Sequence, residues 1–107
     1  MHTTNTSVIA RRVRIDGEFA TLPYEAGWAT EAVVFAQAEG DHPDLGVSVE
    51  ISPDGINWVP KIDGTLPAAQ SLLALPVTTF GNWLRVVISG ATTEHPARVL
   101  VHLNLKG

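Results

Sequence analysis

Turn-forming residues break the chain at short intervals into short strands at roughly ten-residue spacing, and nothing else in the sequence constrains its fold as much. Asp16-Gly17, Glu39-Gly40, Pro53-Asp54-Gly55, Asp63-Gly64, Phe80-Gly81-Asn82 and Ser89-Gly90 mark the breaks. Nine glycines and seven prolines in 107 residues leave intervals too short for most helices. Within the intervals the apolar residues repeat with period two, as on a strand with one buried face. Val47, Val49 and Ile51 alternate with Ser48, Glu50 and Ser52. Val99, Val101, Leu103 and Leu105 alternate with Leu100, His102 and Asn104. Leu84, Val86 and Ile88 alternate with Arg85, Val87 and Ser89.

Three stretches depart from simple alternation. The run from Ala32 to Ala36 is apolar on both faces, which fits a central strand covered on each side or a strand at a subunit contact; its β-branched pair favours strand over helix. Near the start, Ile9, Val13 and Ile15 can point inward with Arg12 and Arg14 outward, but Arg11 then falls on the inner side. An edge strand or a register shift would relieve it. The segment from Pro67 to Leu75 opens with proline and stops before Pro76, so one short helical piece and a strand starting at Ser71 fit equally well. The expected fold is therefore all-β: a jelly-roll-like antiparallel sandwich of seven or eight short strands with at most one helical turn. No interior linker divides it, so residues 1–107 are expected to form one domain, with 1–7 a polar N-terminal arm.

Composition removes whole classes of function. With no cysteine there is no disulfide framework, thiolate zinc site, iron–sulfur cluster or cysteine nucleophile. A net charge of −4 argues against nucleic-acid binding through overall charge. No apolar run has the length of a membrane span, and Met-His-Thr-Thr-Asn-Thr-Ser has neither the basic start nor the apolar middle of a signal peptide. The expected location is a virion or a cytoplasmic assembly.

The most specific local pattern is Ser52-Pro53-Asp54-Gly55-Ile56-Asn57-Trp58, followed later by Trp83-Leu84-Arg85-Val86. Pro53 and Asp54 set a tight turn, Gly55 supplies a positive φ, and Trp58 folds back on the returning strand: a hairpin with an aromatic lock. The pattern resembles one found in discoidin-like jelly-roll domains and in small β-sandwich domains of phage and bacterial surface assemblies; the resemblance covers about the second half of the chain. Discoidin-like domains often bind sugars or lipid head groups through loops at one end. That resemblance implies an alternative function, a carbohydrate-binding module, with Trp28, Trp58 and Trp83 as stacking platforms and Asp54, Asn57 and Asn82 as hydroxyl partners. The competing reading of each tryptophan is a cap on the core or an interface.

Catalytic constellations are poor. Asp41-His42-Pro43-Asp44 and Glu94-His95-Pro96 have turn composition and match no zinc pattern or calcium loop. Histidines at 2, 42, 95 and 102 form no clustered ligand motif, which disfavours a cupin-like metalloenzyme. No serine lies in a Gly-x-Ser-x-Gly elbow, and there is no glycine-rich phosphate loop. No enzyme activity, metal or cofactor is expected.

Charge is segregated. Arg11, Arg12 and Arg14 lie within four positions, whereas from Asp16 to Asp54 there are nine acids and no lysine or arginine. Such polarity can orient copies of a chain, or fix it to an oppositely charged lattice. Mean hydropathy is +0.14 and only 17% of residues are charged, so apolar residues on the second face of strands call for cover by a partner. The expectation is a non-enzymatic structural or accessory protein, assembling with itself and with a larger shell as a capsid-decoration or head/tail accessory component of a phage-like virion. Arg11, Arg12, Arg14, Val33, Phe35, Val87 and His102 are the interface candidates.

Overall fold

The alternating segments pair into two antiparallel sheets in the computed structural model, which describes residues 4–78 and 80–107. Nine strands occur in the order β1 (Thr4–Ile15), β2 (Phe19–Ala20), β3 (Tyr24–Glu25), β4 (Glu31–Glu39), β5 (Leu45–Ser52), β6 (Val59–Leu66), β7 (Leu72–Thr78), β8 (Trp83–Ser89) and β9 (Ala97–Lys106). One sheet runs β1-β9-β4-β7, the other β2-β8-β5-β6 with β3 also on β8. Because β2 and β3 lie along one strand, they count as a single interrupted strand, and the eight-strand order is that of a jelly roll. The nine found against seven or eight expected come from this interruption. No helix is present among the described residues, and so none is long and apolar enough to cross a membrane.

One apolar cluster lies between the sheets. Val99, Val101, Leu103 and Leu105 of β9, and Ala32, Val34, Ala36 and Ala38 of β4, face Leu45, Val47 and Val49 of β5 and Leu84, Val86 and Ile88 of β8. Ala32–Ala36 lies in a central strand, hydrogen-bonded to β9 and β7, but is covered on one face only: Ala32, Val34 and Ala36 are buried, while Val33 and Phe35 on the outer face stay partly exposed. At one margin the Ser7 hydroxyl meets the Tyr24 hydroxyl at 2.7 Å and ties β1 to the opposite sheet. At the other margin β6 runs beside β7, and a Cβ at Gly64 would lie 2.9 Å from Leu75 Cδ2. Asp63-Gly64 is therefore not a turn, as the sequence suggested, but a point of close approach inside β6.

The register shift at Arg11 is present. Val8 pairs with His102, Ala10 with Val101 and Val13 with Val99, so β1 carries one extra residue on each side of Ala10. In the second bulge Arg11 and Arg12 both stand opposite Leu100, and Arg12 adopts φ +49°. The bulge lets Ala10 and Val13 face inward while both arginines stay exposed. Residues 4–7 of the expected arm belong to β1 and pair with β9; residues 1–3, including His2, lie outside the described residues.

The ambiguous segment from Pro67 resolves into a turn, Gln70 N–H donating to Pro67 O at 2.9 Å, and then β7. Pro76 lies inside β7 rather than ending the segment, which an edge strand tolerates. The outer strands of both sheets are irregular or short. β1 has its bulges, β7 has Pro76, β6 has Pro60 and Lys61, and β2 and β3 have two residues each.

Candidate assembly surface

Alternation sends the odd residues of β4 and the even residues of β9 out of the four-stranded sheet. Cross-strand partners there are Glu31 with Lys106, Val33 with Asn104, Phe35 with His102, Gln37 with Leu100, and Glu39 with Arg98. On the flanks, β1 adds Val8 and the arginines, and β7 adds Leu72, Ala74 and Pro76. Between charged strand ends the face carries Val8, Val33, Phe35, Leu72, Ala74, Pro76 and Leu100, interleaved with Gln37, His102 and Asn104. Val8 and Leu72 are 38% and 53% exposed. Val8, Arg11, Arg12, Leu100 and His102 line a shallow hollow of about 250 Å³.

Arg11, Arg12, Arg14, Val33, Phe35 and His102 therefore share this face, while Val87 points out of the other sheet, since it alternates with buried Val86 and Ile88 on β8. Arg12 Nε donates to Glu39 Oε1 at 3.0 Å and Arg14 lies 3.5 Å from Asp16, both exposed pairs of small energetic weight. Arg98 and Leu72 on the same face went unread in the sequence, and Leu100 was read as outward but not as part of a surface. Only the β4–β9 and β4–β7 pairings, which join distant segments, bring them to it.

The six ligand candidates gather at one end of the sandwich. Ala26 N–H donates to Asn82 O at 2.7 Å, and the Asn82 side chain fills the space a Cβ on Gly27 would need. Gly55, at φ +78°, lies over the Trp83 ring, and Trp28 packs beside Gly107 while remaining 45% exposed. Asp54 is occupied by its own turn. Its Oδ1 accepts from Ile56 N–H and Asn57 N–H, each at 2.9 Å, and from the buried Ser52 hydroxyl at 3.0 Å, while Oδ2 accepts from Asn57 Nδ2 at 2.8 Å. These donors, the Asn57 backbone N–H foremost, hold the Asp54 carboxyl well below the usual carboxylate range. Arg85 stacks 4.5 Å from the Trp58 ring centroid and reaches Glu50 at 2.7 Å, so one face of that indole is taken.

The two acid-His-Pro turns meet at one hollow of about 330 Å³ lined by Asp41, His42, Pro43, Glu94, His95 and Pro96. Both His42 ring nitrogens lie against carbonyl oxygens, Nδ1 at 2.7 Å from Pro43 O and Nε2 at 2.6 Å from Gln70 O. Neither is open to a metal. Among the described residues no three His, Asp or Glu side chains are grouped to hold one.

Residues 27–107 match the family described as "Domain of unknown function (DUF6385)". No curated protein matches the chain in sequence. Solved structures of the same fold include the PBSX exported protein XepA, 11% identical with TM-score 0.67, where the match covers 98% of this chain and 36% of that one. The VP2 subviral particle of infectious bursal disease virus matches at 8% identity and TM-score 0.62, over 98% of this chain and 32% of VP2. A Bacillus endospore appendage of a family of disulfide-linked pili matches at 11% identity and TM-score 0.51, over 98% and 84%. The chain thus spans about a third of the length of XepA and of VP2.

Proposed function

We propose that this chain, which belongs to the DUF6385 family, is a non-enzymatic structural or accessory protein that assembles through the faces of its sandwich, as a component of a phage-like virion. The carrying observation is the outer face of the β1-β9-β4-β7 sheet, where partly exposed apolar residues lie among Gln37, His102 and Asn104 between charged ends. Apolar area there supplies affinity, and the arginines of β1, with Arg98, set orientation against acidic loops of a neighbour. Its fold neighbours include a phage-named exported protein, a viral particle protein and a pilus protein, which supports the reading at the level of fold.

Light scattering at micromolar concentration, with a density gradient of lysate from cells producing the protein, tests this. Self-association and a fraction of the chain banding with large particles are expected. A strict monomer that stays at the top of the gradient would overturn it.

The second reading, a glycan-binding module, is favoured by one observation, the exposed indole of Trp28 at an end where Trp58 and Trp83 also lie half-buried. With Asp54 and Asn57 committed to their turn, the tryptophans and Asn82 would carry recognition. Glycan-array binding that disappears in Trp28→Ala, with the fold intact, would replace the first reading.

A further inference from the structure

We infer that two copies of this chain pack through the outer face of the β1-β9-β4-β7 sheet about a two-fold axis that lies between β4 and β9 and runs along the strands. The inference rests on the assembly reading and specifies its surface, partner and geometry.

The register carries the argument. Glu31 and Lys106 form the outward pair at one end of the β4–β9 ladder, and Glu39 and Arg98 the pair at the other. Each pair has an acid on β4 and a base on β9. A two-fold axis between those strands lays β9 of one copy over β4 of the other, so Lys106 meets the second copy's Glu31 and Arg98 its Glu39. In the middle His102 meets Phe35 and Asn104 meets Val33, and on the flanks Val8 of β1 comes over Ala74 of β7. Along the β4–β9 ladder opposite charges face each other at both ends, with Glu39 also held by Arg12 of its own chain, while Phe35 and Val33 are covered by His102 and Asn104 between them and Arg11 and Arg12 come over the second copy's Leu72. The competing axis, across the strands through the Phe35–His102 row, would set Lys106 over Arg98 and Glu31 over Glu39. Those like-charged pairs in the β4–β9 ladder disfavour it.

Four strands spaced at about 4.8 Å and nine residues rising about 3.3 Å each give a footprint of roughly 570 Å² per copy. That is below the roughly 800 Å² per partner of a standard interface, so the dimer is a weak, concentration-dependent one. Edge pairing is a poorer route, because β1 is bulged and β7 contains Pro76.

Sedimentation velocity from micromolar to submillimolar chain tests the geometry, with Lys106→Glu, the double variant Glu31→Lys/Lys106→Glu, and Phe35→Asp, each checked for native circular dichroism. The wild type is expected to move toward twice the chain mass. Lys106→Glu should raise the dissociation constant about tenfold, the summed effect of the two symmetry-related charge pairs, and the double variant should recover most of that loss. Phe35→Asp should hold the chain monomeric. If the wild type self-associates but none of the variants alters it, this interface is wrong while assembly stands. If the double variant is no better than Lys106→Glu, the axis is wrong. A wild type that is monomeric throughout and absent from large particles overturns both the interface and the assembly reading.

Discussion

Replacing Arg12 by glycine and, separately, by alanine isolates the cost of the β1 bulge. Arg12 sits at φ +49°, where a side chain crowds its own backbone at about 1–2 kcal/mol and glycine does not. Both variants lose the same Arg12–Glu39 pair, whose side chains are 68% and 35% exposed, so that contribution cancels in the comparison. Alanine at a positive φ is disfavoured relative to glycine by about 1 kcal/mol. In an ordinary strand the order is the opposite, with glycine the worse residue by about 0.5–1 kcal/mol. Equilibrium urea unfolding should therefore find the glycine variant more stable by about 1 kcal/mol, near 4–8 °C in Tm for a domain of this size. An alanine variant as stable as the glycine variant, or more so, would show that β1 does not hold the left-handed turn, and the account of how both arginines reach one face would fail with it.

Gly90 lies at φ +105°, and a Cβ there would run into the backbone oxygen of Asp44, so Gly90→Ala should cost more than about 2 kcal/mol by thermal denaturation; an unchanged Tm would contradict the geometry. Leu103 is fully buried, and Leu103→Ala should cost about 2–5 kcal/mol in urea unfolding, against near-neutrality expected for Ser48→Ala on an outer face. A double-mutant cycle on Arg85 and Trp58 should give a coupling of about 0.5–1 kcal/mol, and zero coupling would mean that the stacking contributes nothing. For Asp54 the folded-state pKa is lowered, so its contribution is present above the ordinary carboxylate value of 3.8 and is lost as pH falls below it. The stability gap between wild type and Asp54→Asn should shrink in melts below about pH 4; a gap independent of pH would refute the turn's hydrogen bonding.

Much of the sandwich was legible because a strand with one wet face writes its orientation into the sequence. Val47 and Val49, or Val99 to Leu105, need no partner to declare which side is buried, whereas the expected phase slips at the end of β5, where Ile51 is only half-buried and Ser52 is buried beyond the irregularity between Val49 and Glu50. The turn at Gly55 was equally local, since positive φ and an Asp54 cap are decided within a few residues. What escaped is what depends on neighbours distant in sequence. Gly64 has the form of a turn residue until β7 is brought against it, and Pro76 that of a terminator until β7 proves to be an edge. The same holds for the candidate surface. Phe35 and His102 could each be picked out as outward residues, but that they stand side by side, with Arg98 and Glu39 beyond them, follows from a β4–β9 register that no local pattern encodes. Val87 was grouped with them on its apolarity alone, and the topology puts it on the opposite sheet.

The irregular margins of the two sheets bear on how many copies can join. A sandwich with a straight, open edge strand offers its backbone to the next molecule and then to the one after, with no geometric reason to stop. Here bulges interrupt β1, prolines remove donors from β6 and β7, and the strand beside β8 is broken into pieces of two residues. Growth by strand addition is hindered at each margin, which favours contact through side chains on the faces. Crowded at high copy number, such a unit is steered away from open-ended strand polymers and toward contacts between faces.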